Sequence, residues 1–181
     1  MAGARRLVIQ SPRFVIQSAA KNPLPMSLED LADRLTTAGL TVAVAESATG
    51  GLIAAELSRL PGSSAYFKGG IVAYDATSKT ELLGIPKGLF EDHGSVSAEA
   101  CKAMAEAARR LFQADFGLSE TSIAGPAGAT EAKPVGLSYV ALASAKGTQL
   151  KESRLTGNRE ENRRSIAETA LALLAEGLPS P

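Results

Sequence analysis

The sequence is poor in the residues that most often build reactive centres. It has one cysteine, one histidine and no tryptophan, and aromatic residues fill only 4% of its 181 positions. A single cysteine, Cys101, rules out a disulfide within the chain. Inside "SAEACKAMAEAARRLF" it reads as a small buried hydrophobe rather than a reactive thiol. One histidine and one cysteine cannot make a histidine- or thiolate-rich metal site. A Ser-His-Asp mechanism would have to rest on His93 alone, in "FEDHGSVS". No apolar run approaches the roughly 20 residues that cross a bilayer, so no membrane partner is expected. Net charge is lacking too, 19 basic residues balancing 19 acidic ones. The basic footprint of a nucleic-acid partner is therefore missing.

What remains is the composition of one globular domain, 45% hydrophobic and 21% charged, long enough to bury a core. The first 25 residues differ from the rest. They hold Arg5, Arg6, Arg13 and Lys21 with no acid, leaving 15 basic against 19 acidic residues beyond them. They also carry a near-duplicate, "VIQSPRF" then "VIQSAAK", before "NPLP". Residues 1–25 are expected to be a basic, disordered extension, with the domain beginning at Met26. A cytoplasmic location is expected, and a basic, acid-poor leader also fits organelle targeting.

From Met26 onward the periodicity alternates. "SLEDLADRLTTAG" has a Ser27 cap, a leucine stripe and a terminal glycine, which predicts a helix. "LTVAVAE" predicts a strand, "GGLIAAELSRL" a helix, "GGIVAY" a strand, "ATSKTELLG" a short helix and "SVSAEACKAMAEAARRLFQ" a long one. "ADFGLSETSIAG" reads as a strand entering the Gly/Pro-rich loop "GPAGATEAKPVG". "LSYVALAS" and "TQLKESRLT" read as a hairpin about Lys146-Gly147, and "NREENRRSIAETALALLAEG" as a closing helix. Strands interleaved with helices predict a three-layer α/β/α sandwich on a mixed, mostly parallel sheet.

In such a sheet, ligands gather where strands give way to helices at their carboxyl ends. Three stretches meet that description. "AESATGG" places Ser47 after an apolar strand, and Thr49, Gly50 and Gly51 at a helix start. Backbone N–H groups there suit a phosphate or an oxyanion, and sequence does not choose between them. It is neither a P-loop nor a "GxSxG" elbow. Glu46 either orients a partner or, as preferred here, caps a neighbouring helix. "YDATSK" puts Lys79 near a helix N-terminus, where dipole and burial would depress its pKa toward that of a usable base; its alternative is a solvated lysine. "IAGPAGATEAKPVG" is longer than a hairpin needs, as binding loops often are. "GNREENRR" sets Arg159 and Arg163 on one helical face, either solvated beside Glu160 and Glu161 or reaching a substrate phosphate.

The ordered set "AES-x-TGG", "PGSSA-x-F", "G-x-V-x-Y-x4-K-x2-LLG", "HG-x-VS", "IAGP", "KPVG" and a final "G-x-R" resembles the CinA C-terminal domain family, the nicotinamide-nucleotide amidases, from Leu28 to Leu174. The resemblance implies a metal-independent, cofactor-free amidase that deamidates nicotinamide mononucleotide to nicotinic acid mononucleotide and ammonia. It implies Ser47 as nucleophile with Tyr74 and Lys79 assisting. It also implies a small-molecule nucleotide as partner, bound through Thr49, Gly50, Gly51, Thr121, Gly125 and Arg159, and a homo-oligomer, a dimer being favoured. The chain departs from the family pattern at Ala48, at Ser122, at Ala76-Thr77-Ser78 and at Ala129-Thr130. These departures leave two alternatives open: an amidase for a different nucleotide amide, and a non-catalytic nucleotide-binding homologue.

Overall fold

A computed structural model describes residues 14–17 and 26–179. Its elements run β1 (Phe14–Gln17), α1 (Leu28–Thr37), β2 (Val42–Glu46), α2 (Leu52–Ser58), β3 (Phe67–Val72), α3 (Ala76–Leu83), α4 (Lys87–His93), α5 (Ala98–Leu111), β4 (Phe116–Ser122), β5 (Leu137–Ser144), β6 (Gly147–Arg154) and α6 (Arg159–Gly177). The six strands form one sheet in the order β1-β6-β5-β4-β2-β3. β2 pairs in parallel with β3 and β4, β1 pairs in parallel with β6, and the β4–β5 and β5–β6 pairs are antiparallel. The sheet is mixed, as the late hairpin predicts.

Period-two alternation builds the layers. Val42 and Val44 of β2 point into a core shared with Leu31 and Leu35 of α1, Ile53 and Leu57 of α2, and Ile166, Leu173 and Leu174 of α6. Ala43 and Ala45, on the other face, pack against Leu83 and Met104 of α3 and α5. Small residues on that second face let α5 lie close to the sheet. At Gly117 of β4 a Cβ would strike the Ala105 carbonyl and the Arg109 backbone of α5. The helix starts follow their caps. Ser27 accepts from the Asp30 N–H, Asp75 from Ser78, Ser97 from Ala100, and Asn158 forms a capping box with Glu161.

Two elements depart from the sequence reading. β1 lies within the stretch expected to be a disordered extension, and Phe14–Gln17 align with Lys151–Arg154 at the sheet edge. An unpaired β6 edge offers backbone donors and acceptors that an extended VIQ-type segment can satisfy. The rest of residues 1–25 lies outside the described residues. α4 was not foreseen at all. Its seven residues carry no side-chain cap, and none of them is buried. Among the described residues, no helix is long and apolar enough to cross a membrane.

Candidate active site

The parallel strands β2 and β4 end side by side, Ala45 opposite Ser119, and both run on into polar residues that are buried. Glu46, Thr49, Lys79, Ser119, Glu120 and Thr121 are all at most 1% exposed, and Ser47 is 6% exposed. Polar side chains at the closed centre of a sheet are costly unless every one is partnered.

The Glu46 carboxylate turns back over the helix that follows it. Its Oε2 accepts from Gly51 N–H (2.9 Å), Ile53 N–H (3.1 Å) and Thr49 Oγ1 (2.6 Å), and its Oε1 from Ala54 N–H (2.8 Å). An anion thus sits on the positive end of α2, supplied by the chain itself. The capping role preferred for Glu46 is the one observed. The same contacts revise the reading of the glycine turn. Gly51 N–H is taken by Glu46, and Gly50 N–H by the Ser47 carbonyl (3.2 Å). Ser47 N–H (2.6 Å) and Thr49 N–H (2.9 Å) both go to Glu120 Oε1. The turn therefore does not offer an open cradle of amides to a phosphate or an oxyanion. The exception is Ala48, whose N–H donates to no described residue. It immediately follows Ser47, the position from which α/β-hydrolases take one oxyanion donor.

Lys79 occupies the first turn of α3, with its amine inside the protein. Nζ lies 3.4 Å from the Ser95 carbonyl and 3.4 Å from Thr121 Oγ1, which itself donates to Ser95 O at 2.8 Å. Among the described residues it has no ion pair. Burial lowers its pKa below the ordinary lysine value, and the nearby Glu120, Cys101 and Asp75 oppose that shift. The solvated alternative for Lys79 is excluded. Burial likewise raises the Glu120 pKa, against hydrogen bonds from Thr49 and Ser47 that lower it. Cys101 is wholly buried on α5, its thiol pushed up to about 12, so it is inert as a nucleophile.

Tyr74, Gly125 and Arg159 form a second, outer group. Arg159 donates to the Gly125 carbonyl and to Tyr74 Oη, both at 2.7 Å. Tyr74 is 58% exposed and makes no hydrogen bond to Lys79 among the described residues. It therefore does not help to depress the Lys79 pKa by direct contact. Asn162 donates to the Ala124 carbonyl (3.1 Å), and Arg163 donates to the carbonyls of Ala48 (3.0 Å) and Thr49 (2.6 Å). The first turn of α6 thus ties the "ESATGG" and "IAGP" loops together. Of the two arginines weighed in "GNREENRR", Arg159 reaches the outer group and Arg163 the serine turn.

The structure sets Ser47 and Thr49 against Glu120 of β4 and Lys79 against the adjacent Thr121, and groups Tyr74, Gly125 and Arg159 at the loops. Gly50 and Gly51 serve the turn geometry, at φ 63° and 100°, where glycine alone is unstrained. His93 stands elsewhere, 3.8 Å from Glu99 on the surface. Glu120 is the residue that sequence reasoning passed over, and Arg163 holds the Ala48 and Thr49 carbonyls rather than standing solvated. Glu120 left one signal: a lone acid inside "LSETS", which enters a central strand between two neighbours. A polar hollow of about 660 Å³ between the end of α5 and the β5–β6 turn holds none of these residues. Among the described residues, no three His, Cys, Asp or Glu side chains converge on a metal position.

The family model for the CinA C-terminal domain matches residues 26–178. A CinA-like protein of Geobacter sulfurreducens is 41% identical over 178 residues, 98% of this chain and 42% of that protein. A CinA-like protein of Geotalea uraniireducens is 50% identical over 125 residues, covering 69% of this chain and 30% of that protein. The chain therefore spans less than half the length of these curated relatives. Among solved structures, competence/damage inducible protein CihA from Agrobacterium tumefaciens superposes with a TM-score of 0.78 at 37% identity, covering 84% of this chain and 96% of that one.

Proposed function

The chain belongs to the CinA C-terminal domain family, and on that premise we propose that it is a metal-independent amidase. Its substrate is nicotinamide mononucleotide, and its products are nicotinic acid mononucleotide and ammonia. The observation that carries this reading is Lys79: a lysine amine buried to 1% exposure, with two long contacts and no described ion pair. A surface or salt-bridging lysine has no reason to adopt that state, whereas a general base needs it.

Ser47 directly follows β2 and its N–H is held by Glu120, the β4 neighbour of Thr121, which Lys79 contacts. In this scheme neutral Lys79 removes the hydroxyl proton of Ser47 as Oγ attacks the carboxamide carbon. The developing oxyanion meets the Ala48 N–H. The lysine returns the proton to the nitrogen as the C–N bond breaks and ammonia leaves. Water, deprotonated by the same lysine, then cleaves the acyl-serine ester and restores the hydroxyl. Arg159, its fork already oriented by Gly125 and Tyr74, holds the nucleotide phosphate at the outer rim. The small substrate-facing contribution of Gly50 and Gly51 is to let the turn close over Glu46 and Glu120, rather than to bind phosphate through their amides.

The test is ammonia release from purified protein given, in separate reactions, nicotinamide mononucleotide, the riboside and free nicotinamide. Release from the mononucleotide alone supports the reading. Turnover of the riboside at an equal rate removes Arg159 as a phosphate ligand, and no release from any of the three rejects the amidase.

A further inference from the structure

His93, Gly94 and Ser95 carry three successive carbonyl groups at the end of α4, where the helix ladder has run out. Each is taken by a side chain. His93 O accepts from Lys133 Nζ (2.7 Å) and Gly94 O from Ser97 Oγ (3.0 Å). Ser95 O accepts from Thr121 Oγ1 (2.8 Å) and Lys79 Nζ (3.4 Å). Thr121 gives its one hydroxyl hydrogen to Ser95 O, so it meets Lys79 as an acceptor. The Ser95 carbonyl therefore governs both contacts of the Lys79 amine, one directly and one through Thr121. We propose that Lys133 is a positioning residue for Lys79: it pins the segment from His93 to Ser95, and so sets the carbonyl against which the amine stands.

The loop that follows β4 is shaped to present this pin. Thr130 and Lys133 exchange backbone hydrogen bonds (2.9 and 3.1 Å), and Thr130 Oγ1 also accepts from the Lys133 N–H (3.1 Å). That closed turn fixes the backbone from which the lysine extends. Among the described residues Lys133 has no ion pair, and its amine lies so close to the segment that a Cβ on Gly94 would stand 2.6 Å from it. A cation on the last carbonyl of α4 also meets the negative end of that helix. The helix gives the segment little else to rest on, since none of its seven residues is buried. Nearer its start the same loop is held by Arg159 at the Gly125 carbonyl (2.7 Å). It thus runs from the arginine assigned to the phosphate to the segment that holds the base. The motifs "HG-x-VS" and "KPVG" meet in the Lys133–His93 contact.

The effect on turnover rests on the amidase reading; the pin itself does not. Amide hydrogen exchange, followed by mass spectrometry, tests the pin in wild type, Lys133→Met and Lys133→Arg. Peptides spanning residues 89–97 are expected to exchange at least about fivefold faster in Lys133→Met, with α1 and α6 unchanged. Lys133→Arg, whose guanidinium also donates to a carbonyl, is expected to restore the wild-type rates. Equal rates in all three proteins overturn the proposal. So does faster exchange throughout the Lys133→Met protein, the mark of a general loss of stability. In the ammonia assay, Lys133→Met is expected to lower kcat about tenfold with KM within about twofold of wild type, and Lys133→Arg to recover most of that loss. A raised KM with unchanged kcat would make Lys133 a substrate ligand, which also overturns the proposal. If wild type releases no ammonia, the amidase reading fails and the exchange rates alone decide the pin.

Discussion

Replacing Glu46 by glutamine tests how the nucleophile turn is held. The substitution keeps the shape of the side chain and one carbonyl oxygen. That oxygen is best kept at the Oε2 position, which serves Gly51, Ile53 and Thr49. The new amide nitrogen then faces the Ala54 N–H, donor against donor, where Oε1 had accepted at 2.8 Å. One charge-assisted hydrogen bond is lost, at about 1.5–3 kcal/mol. The negative charge at the start of α2 goes too, adding about 0.3–1 kcal/mol. The expected cost is about 2–4 kcal/mol, or roughly 5–15 °C in melting temperature for a domain of this size. Urea unfolding at neutral pH should show the midpoint falling with an unchanged slope. A loss below about 0.5 kcal/mol, the scale of an ordinary surface change, would refute the idea that Glu46 anchors the turn.

Lys79→Met should be more stable than wild type at neutral pH, because it removes a buried amine whose folded-state pKa is lowered. The unfolded chain binds that proton more tightly, so wild-type stability rises with pH between the lowered value and the ordinary 10.5, and the variant's advantage shrinks over that window in denaturation series. Lys79→Arg keeps the charge but cannot give up its proton, and should lose nearly as much turnover as Lys79→Met in steady-state ammonia assays. Arg159→Ala should raise KM for the nucleotide about tenfold or more with a smaller change in kcat, since it removes the guanidinium that spans Gly125 and Tyr74. Gly117→Ala should cost about 3 kcal/mol or more in chemical denaturation, because its methyl group meets α5 backbone on a face with no room to move.

Much of the architecture could be read from periodicity. The leucine stripe of α1, the apolar run of β2 and the β5–β6 hairpin each follow from local pattern and turn chemistry. α4 escaped because its seven residues have no buried stripe to betray them. β1 escaped because its four residues gain their pairing only from β6, far along the chain. At the site, residue types pointed to the serine turn and to Lys79. Which amides are already occupied could not be read, since that depends on Glu46 and Glu120 folding back from two strands. A glycine-rich turn suggests open N–H groups; two buried carboxylates close most of them. Arg163 and Arg159 are equivalent in pattern, and only the placement of the loops against α6 separates the one that clamps the turn from the one at the rim.

Ser47 is the residue on which the proposed chemistry turns. It sits at the end of β2 on a turn fixed by Glu46 and Glu120, so Ser47→Ala removes one hydroxyl and leaves the backbone bonds of that turn in place. The decisive measurement is ammonia released from nicotinamide mononucleotide by wild type and by Ser47→Ala at equal concentrations, with unfolding curves confirming that both are folded. Release from wild type with a loss of at least about a thousandfold in the variant is the expected result. Equal release from both proteins would contradict a serine nucleophile.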